Sequence, residues 1–96
     1  AKYIIQEMDI AIQDLEDLVI KQNFICAFSG IDIKNSYGSL KKKDEVTGSV
    51  DRIDNNKGYL KDNIQFVHKD INWMKQDFEQ NKFLEYCYSI YRKHNE

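Results

Sequence analysis

Apolar side chains recur at helical spacing near both ends of the chain. From residue 3 to about residue 22 they return every three to four positions, with acidic residues on the other faces. The same spacing reappears after residue 79 and continues to about residue 93. The two stripes consist of Ile4, Met8, Ala11, Ile12, Leu15, Leu18 and Val19, and of Phe83, Leu84, Cys87, Ile90 and Tyr91. This pattern predicts a leading helix over 3–22 and a trailing helix that ends near residue 93.

The middle of the chain predicts two short strands, a tight loop and a further helix. Residues 49–53 place two β-branched residues around a charged pair, which is typical of a short strand. Residues 54–58 are rich in Asp, Asn and Gly, the residues of tight turns. Residues 64–67 form a second β-prone run. From His68 the spacing becomes helical, with apolar residues at Ile71, Met74 and Phe78.

Length and composition indicate a single globular domain. The chain has 96 residues, of which 42% are hydrophobic and 31% charged. No apolar run approaches the roughly 20 residues that span a bilayer, so we expect no membrane partner. Two cysteines, Cys26 and Cys87, are too few for a disulfide framework and favour reduced thiols in the cytoplasm. The first residues turn acidic too early for a signal peptide, so we expect none. The chain begins without Met, so we interpret it as a processed chain or, preferably, a fragment.

The charge balance argues against a domain that holds nucleic acid by itself. The formal net charge is −2 and the isoelectric point is about 5.7, whereas duplex-binding domains are usually basic. The balance does not exclude a site in which a cation neutralises local carboxylates.

The stretch from residue 48 to residue 76 resembles the HNH nuclease family, whose core is a ββα-metal unit. The family pattern is an Asp-His or His-His pair, a loop glycine, a central Asn, and a helical His or Asn followed by Lys. Its counterparts here are Asp51 and Arg52, then Gly58, Asn63, Asn72 and Lys75. Residues 22–30 are also similar to the knuckle that precedes this motif in many members. The nearest subgroup, from phages and bacteria, has Asp-Arg-Ile-Asp in place of Asp-His.

The resemblance implies an α+β fold, in which a ββα-metal core of one β-hairpin and one helix is flanked by an N-terminal and a C-terminal helix. We expect one HNH-like domain over 1–96, with a leading helix over 1–23, the knuckle and core over 24–78, and the trailing helix over 79–96. The implied activity is metal-dependent hydrolysis of DNA phosphodiester bonds by a one-metal mechanism. The alternatives are a weak or inactive domain used for nucleic-acid binding or assembly, and an interaction module built on the flanking helices.

The resemblance also implies a metal site for Mg²⁺ or Mn²⁺. Asp51 and Asn72 match the family's metal-binding positions, and they supply the oxygen ligands that hard cations prefer. Gln76, one helical turn beyond Asn72, is a weaker ligand candidate. Zinc-bearing members have four cysteines around the knuckle, but these positions hold Cys26, Ser29, His68 and Ile71 here. We therefore expect no structural zinc.

The main departure from the family is Arg52, at the position of the water-activating His. Arginine stays protonated and cannot act as a general base, although it suits phosphate binding. Asp54 and His68 are the substitute bases, and the position of His68 favours a structural role. Asn63 should hold the loop through hydrogen bonds to backbone. The resulting catalytic candidates are Asp51, Arg52, Asp54, Asn63 and His68.

Several cations are candidates for contact with DNA. Arg52 and Lys75 belong to the motif, and Lys75 is expected either to contact phosphate or to be solvated. A basic run just before the motif provides Lys41, Lys42 and Lys43, although short charge runs are usually solvated loops. Trp73 is expected to pack rather than to stack on bases. A DNA-recognition domain or protein partner outside this chain fits the mild acidity.

Overall fold

The computed structural model describes residues 8–33 and 47–96, and within them the fold is α+β. In chain order, the elements are β1 (Met8–Asp9), α1 (Ile12–Lys21), β2 (Gly48–Arg52), β3 (Tyr59–Leu60), β4 (Ile64–His68), α2 (Lys69–Lys75) and α3 (Gln80–His94). None of the helices in these two ranges is long and apolar enough to cross a membrane.

An antiparallel pair of strands, β2 and β4, forms the centre of the fold. Gly48 lies opposite His68, and Arg52 lies opposite Ile64, so all five residues of each strand are paired. Both predicted strands are therefore confirmed to within one residue at each end. A second pair, β1 with β3, is parallel and only two residues long.

The leading helix begins later than the sequence predicted. Met8 and Asp9 belong to β1, and α1 starts at Ile12. The Asp14 carboxylate accepts the Ala11 N–H at 3.0 Å, which satisfies a backbone donor ahead of the first turn and fixes the start there. The prediction of helix through residues 8–11 was wrong, because pairing with β3 overrides the apolar periodicity. Residues 1–7 lie outside the described part.

The hydrophobic core lies between α1, the knuckle and β4. It contains Val19, Cys26, Ile33, Phe66 and Val67. The Gln22 side chain joins the helix to the sheet, since its amide accepts the Phe66 N–H at 2.9 Å and donates to the Phe66 carbonyl at 3.0 Å. At this edge of β4, the Gln22 side chain therefore makes the pair of hydrogen bonds that the backbone of a neighbouring strand would make.

The motif helix α2 is short, and its two ends are fixed by different means. His68 caps the first turn, because its Nδ1 accepts the Asp70 N–H at 3.1 Å. The helix ends at Lys75, and Gln76 has a positive φ of 53°. The helical spacing of apolar residues extends to Phe78, but the helix ends before it. Gln76, expected on the same helix face as Asn72, is instead the residue that ends the helix.

The trailing helix α3 has the predicted extent but not the predicted burial. Glu79 caps its start by accepting the N–H groups of Asn81 and Lys82. Phe83 is buried and packs edge-on against Phe28, with ring centroids 5.5 Å apart. Other members of the apolar stripe, Leu84, Ile90 and Tyr91, are exposed. The stripe is therefore a core face only near the first turn.

Candidate functional site

An open cleft lies beside the end of β2 and one side of α2. Its volume is about 250 Å³. It is lined by residues from β2, the following loop, β3, α2 and the α2–α3 connection, namely Val50, Asp51, Arg52, Asn55, Tyr59, Asn72, Trp73, Gln76 and Asp77. Four of the predicted site residues therefore share one surface: Asp51, Arg52, Asn72 and Gln76.

Asp51 is held by two side chains from different elements. Lys75 Nζ lies 2.8 Å from Oδ1, and Gln65 Nε2 donates to Oδ2 at 2.9 Å. Gln65 faces Asp51 across the β2–β4 register, and Lys75 comes from the end of α2. Asp51 is 5% exposed, so its carboxylate has a fixed orientation at the cleft wall.

Lys75 does not occupy the position that the sequence predicted. Its side chain is 0% exposed, and Nζ also donates to the Arg52 carbonyl at 3.0 Å. The solvated interpretation was wrong. Direct contact with DNA phosphate is also inconsistent with this burial, since the ammonium group is enclosed by protein. Its role in this geometry is to orient Asp51 and to bind α2 to β2.

Asn72 faces β2 from the middle of α2. Its Nδ2 donates to Ser49 Oγ at 2.7 Å, and the Val50 carbonyl lies 3.5 Å away. Within the described residues, the Asn72 Oδ1 has no hydrogen-bond partner. The amide is thus anchored through its nitrogen, which leaves its oxygen as a potential ligand at the cleft.

Arg52 is buried and supports the loop that follows β2. Its guanidinium donates to the carbonyls of Asn55 and Lys57 at 3.3 and 3.2 Å and lies 5.3 Å from the centroid of the Tyr59 ring. These contacts make Arg52 a structural cation of the cleft wall. Phosphate binding by this residue would have to compete with the loop carbonyls.

Asn63 closes the same loop from the other side. Its Oδ1 accepts the Asp54 N–H at 2.9 Å, and its Nδ2 donates to the carbonyls of Asp54 and Gly58 at 3.0 and 2.9 Å. The predicted loop-holding hydrogen bonds of Asn63 are therefore confirmed. The side chain is buried, so its effect on the cleft is exerted through the loop.

The two candidate bases, Asp54 and His68, do not line this cleft. Asp54 lies beyond the end of β2, and its carboxylate accepts the Asn56 N–H at 2.9 Å within the loop. His68 caps α2, and its backbone N–H contacts Cys26 in the knuckle. Geometry therefore favours structural roles for both, as the sequence position of His68 suggested.

The cleft is also lined by Trp73, Asp77 and Tyr59, none of which the sequence analysis placed in the site. Trp73 is 75% exposed, so the expectation that it packs was wrong. Asp77 is exposed, and its backbone carbonyl accepts Asn55 Nδ2 at 2.8 Å, which ties the loop to the α2–α3 connection. Tyr59 lies over Arg52. Asp77 follows directly after Gln76, and that proximity to the motif was the available signal.

The knuckle, residues 22–30, folds back around the Cys26 side chain. The Ser29 N–H donates to Cys26 Sγ across 3.4 Å, and Gly30 adopts a positive φ of 76°. Burial acts to raise the pKa of the Cys26 thiol, but hydrogen bonds from the Ser29 side chain and from the backbone of His68, Ser29 and Phe28 outweigh it and lower the pKa below the usual value. The sulfur thus sits where several donors converge.

The donor set of the cleft suits a hard cation with several water ligands. Over 8–33 and 47–96, no three His, Cys, Asp or Glu side chains gather closely enough to hold a metal. A cation at the cleft would depend on one carboxylate, amide oxygens and water, which is the mixture that Mg²⁺ accepts. The basic run of Lys41, Lys42 and Lys43 lies outside the described residues.

No protein-family profile, no curated protein and no solved structure matches this chain. The function must therefore be argued from the chemistry of the cleft.

Proposed function

We propose that this chain is an HNH-like, metal-dependent endonuclease with a ββα-metal core, and that it hydrolyses DNA phosphodiester bonds. The observation that carries the proposal is the convergence of Asp51 and Asn72 on one open cleft, although they are 21 positions apart in the sequence. Asp51 lies near the end of β2 and Asn72 lies in α2, so each element supplies one side-chain oxygen. The buried Lys75 fixes the orientation of the Asp51 carboxylate.

Asp51 and Asn72 would hold the metal. The Asp51 oxygens each accept one protein donor, but a carboxylate has about four lone-pair positions and retains capacity for a cation. The Asn72 amide is anchored through Nδ2, so its Oδ1 is already oriented. When bound, Mg²⁺ or Mn²⁺ would supply charge stabilisation at the scissile phosphate and activation of water.

The other cleft residues position these groups. Lys75 keeps Asp51 oriented, and Arg52 and Asn63 hold the loop that carries Asn55. Asn55 in turn fixes the backbone of Asp77. Such pre-organisation matters because small misplacements of catalytic groups reduce rates strongly.

Asp77 is the carboxylate best placed to accept the proton of the attacking water. Arg52 remains protonated, whereas Asp54 and His68 do not line the cleft. Asp77 borders the cleft together with Asp51 and is exposed to solvent. A positioned general base contributes about 10²–10⁴-fold to rate. We therefore expect Asp77→Asn to slow hydrolysis by that factor while metal binding persists.

The test is nicking of supercoiled plasmid with Mg²⁺ or Mn²⁺, with an EDTA control. Asp51→Asn is the informative variant. Like Asp51→Ala it removes the counter-charge of the buried Lys75, but it keeps the side-chain shape and an amide oxygen that can accept a hydrogen bond from Lys75. Asp62→Asn, at an exposed position outside the cleft, is the matched control. Nicking that requires metal and is lost only in Asp51→Asn supports the proposal.

Absence of nicking by the folded wild-type chain with either metal would contradict the proposal. The second candidate is then a domain that keeps this fold for nucleic-acid binding or assembly. The involvement of both Asp51 and Arg52 in buried structural contacts favours this alternative. Metal-independent DNA binding, measured by fluorescence anisotropy, would distinguish it from the nuclease.

A further inference from the structure

Trp73 is a large apolar side chain at a position where the protein does not use it for packing. It is the only tryptophan in the chain and is 75% exposed. It follows Asn72 on α2 and lines the same cleft as Asp51. An indole ring that borders a polar cleft is available for contact with a flat, polarisable ligand group.

A second aromatic ring borders this cleft. Tyr59 is partly buried, and the Arg52 guanidinium lies 5.3 Å from its ring centroid. Because Arg52 also binds the carbonyls of Asn55 and Lys57, this contact fixes the ring against the loop. The cleft therefore combines one immobilised ring, one exposed ring and the oxygen donors of Asp51 and Asn72.

The size of the cleft restricts what these rings can contact. Its volume of about 250 Å³ is below the range of about 300–1,000 Å³ typical of pockets for drug-sized ligands. One base-sized group suits this space, whereas the bases of an intact duplex are already stacked and paired. Protein rings stack on bases that are unpaired, and this contact tolerates any base because each has a π-face.

We infer that Trp73 is a stacking platform for an unpaired nucleobase, and that the cleft takes single-stranded or locally unpaired DNA in preference to intact duplex. The inference rests on the proposed function for the identity of the ligand as DNA, and it adds the substrate class. The stacked base would place the adjoining phosphate beside Asp51 and Asn72.

The charges of the cleft give this binding a metal dependence. Asp51 and Asp77 line the cleft, Arg52 is engaged by loop carbonyls, and the whole chain has a net charge of −2. A phosphate backbone therefore gains little attraction without a divalent cation at the carboxylates. We expect stacking and cation to be needed together for tight binding.

The experiment is a titration of the intact chain with a 5′-labelled oligothymidine and with a hairpin duplex of equal phosphate count. Binding is read by anisotropy and by quenching of the single tryptophan, with Mg²⁺ and with EDTA. The variants are Trp73→Ala, Trp73→Phe and, as a matched exposed aromatic on α3 outside the cleft, Tyr88→Ala. Circular dichroism checks that each variant is folded.

We expect the single strand to bind at least about tenfold more tightly than the duplex in Mg²⁺, with quenching of the tryptophan. Trp73→Ala should weaken single-strand binding about 5- to 150-fold, whereas Trp73→Phe and Tyr88→Ala should stay within about threefold of wild type. The inference would be overturned by tighter binding to the duplex than to the single strand, by single-strand binding of Trp73→Ala that equals wild type, or by no binding of wild type to either DNA.

Plasmid nicking is scored separately. If wild type nicks plasmid but Trp73→Ala binds single strands as tightly as wild type does, the stacking role is wrong and the nuclease proposal stands. If binding depends on Trp73 but no nicking occurs, the nuclease proposal is wrong and the stacking role stands.

Discussion

The Lys75 ammonium lies 2.8 Å from the Asp51 carboxylate, and both side chains are withdrawn from solvent. The pair joins the end of α2 to the end of β2 across 24 sequence positions. Desolvation of two charges largely offsets their attraction, so such a pair adds little net stability compared with apolar packing. Its benefit here is geometric, since it fixes the orientation of the one buried carboxylate in the cleft.

Removal of the lysine should be more damaging than removal of both partners. We predict that Lys75→Met lowers the free energy of unfolding by about 3–5 kcal/mol, because Asp51 then keeps a buried charge without its counterion. Urea denaturation followed by circular dichroism measures the loss. Lys93→Met, at an exposed position in α3, should change stability by less than about 0.5 kcal/mol.

The double variant Lys75→Met with Asp51→Leu should recover much of that loss. A double-mutant cycle gives the coupling between the two sites. A Lys75→Met variant as stable as wild type would show that the pair is not desolvated in solution.

The Asn63 amide makes three hydrogen bonds to the loop backbone and should be a major determinant of loop stability. We predict that Asn63→Ala lowers the free energy of unfolding by about 2–4 kcal/mol, since the part-buried backbone groups of Asp54 and the buried carbonyl of Gly58 lose their partners. Asn56→Ala, on an exposed part of the same loop, is the control. Native-state hydrogen exchange should show faster exchange of the Asp54 amide in Asn63→Ala only. Equal exchange in both variants would contradict this role.

Gln76 adopts backbone angles that favour glycine, with φ 53° and ψ −131°. We predict that Gln76→Gly raises stability by about 0.5–1.5 kcal/mol, because the relief of strain exceeds the added chain entropy of glycine. Glu85→Gly, at an exposed position in the interior of α3, should instead destabilise by about 0.5–1 kcal/mol. Thermal unfolding compares the two. A destabilised Gln76→Gly would mean that the side chain itself supports the turn, and its plasmid-nicking rate reports whether that side chain is needed as a ligand.

Local sequence patterns were sufficient for the elements that local interactions decide. The strands β2 and β4 are short β-prone runs flanked by turn residues, and their bounds differ from prediction by one residue at most. The start of α3 follows from the capping side chain of Glu79. Asp51 and Asn72 could be grouped because a family pattern, rather than periodicity, connected them.

Sequence patterns failed where a distant partner decides the outcome. Met8 continues the apolar stripe of α1 but belongs to a strand that pairs with β3. Lys75 was expected to contact phosphate or solvent, yet its burial depends on Asp51 in another element. Trp73 was expected to pack because it lies in the middle of the predicted helix, but it is 75% exposed. In each case the outcome was set by the arrangement of elements, which periodicity does not specify.

The knuckle provides a test of the family resemblance that is independent of catalysis. In zinc-bearing members four cysteines surround this point, and their counterparts here are Cys26, Ser29, His68 and Ile71. Ser29 and the backbone of His68 contact the Cys26 sulfur, and Ile71 packs against the core cluster that contains Cys26. Because these positions converge, we predict that the triple variant Ser29→Cys, His68→Cys and Ile71→Cys gains a tetrahedral four-thiolate site.

Titration with Co²⁺ should give the absorption of a tetrahedral thiolate complex, and zinc analysis should give one ion per chain. Zinc at about 1,000 times its dissociation constant should stabilise the triple variant by about 4 kcal/mol, which thermal unfolding detects. The same three substitutions in a Cys26→Ala background are the control, because three thiolates leave the coordination open and the affinity low. Equal metal binding with and without Cys26 would show that the four positions do not surround one point. The resemblance of the knuckle to that of the zinc-bearing members would then be contradicted.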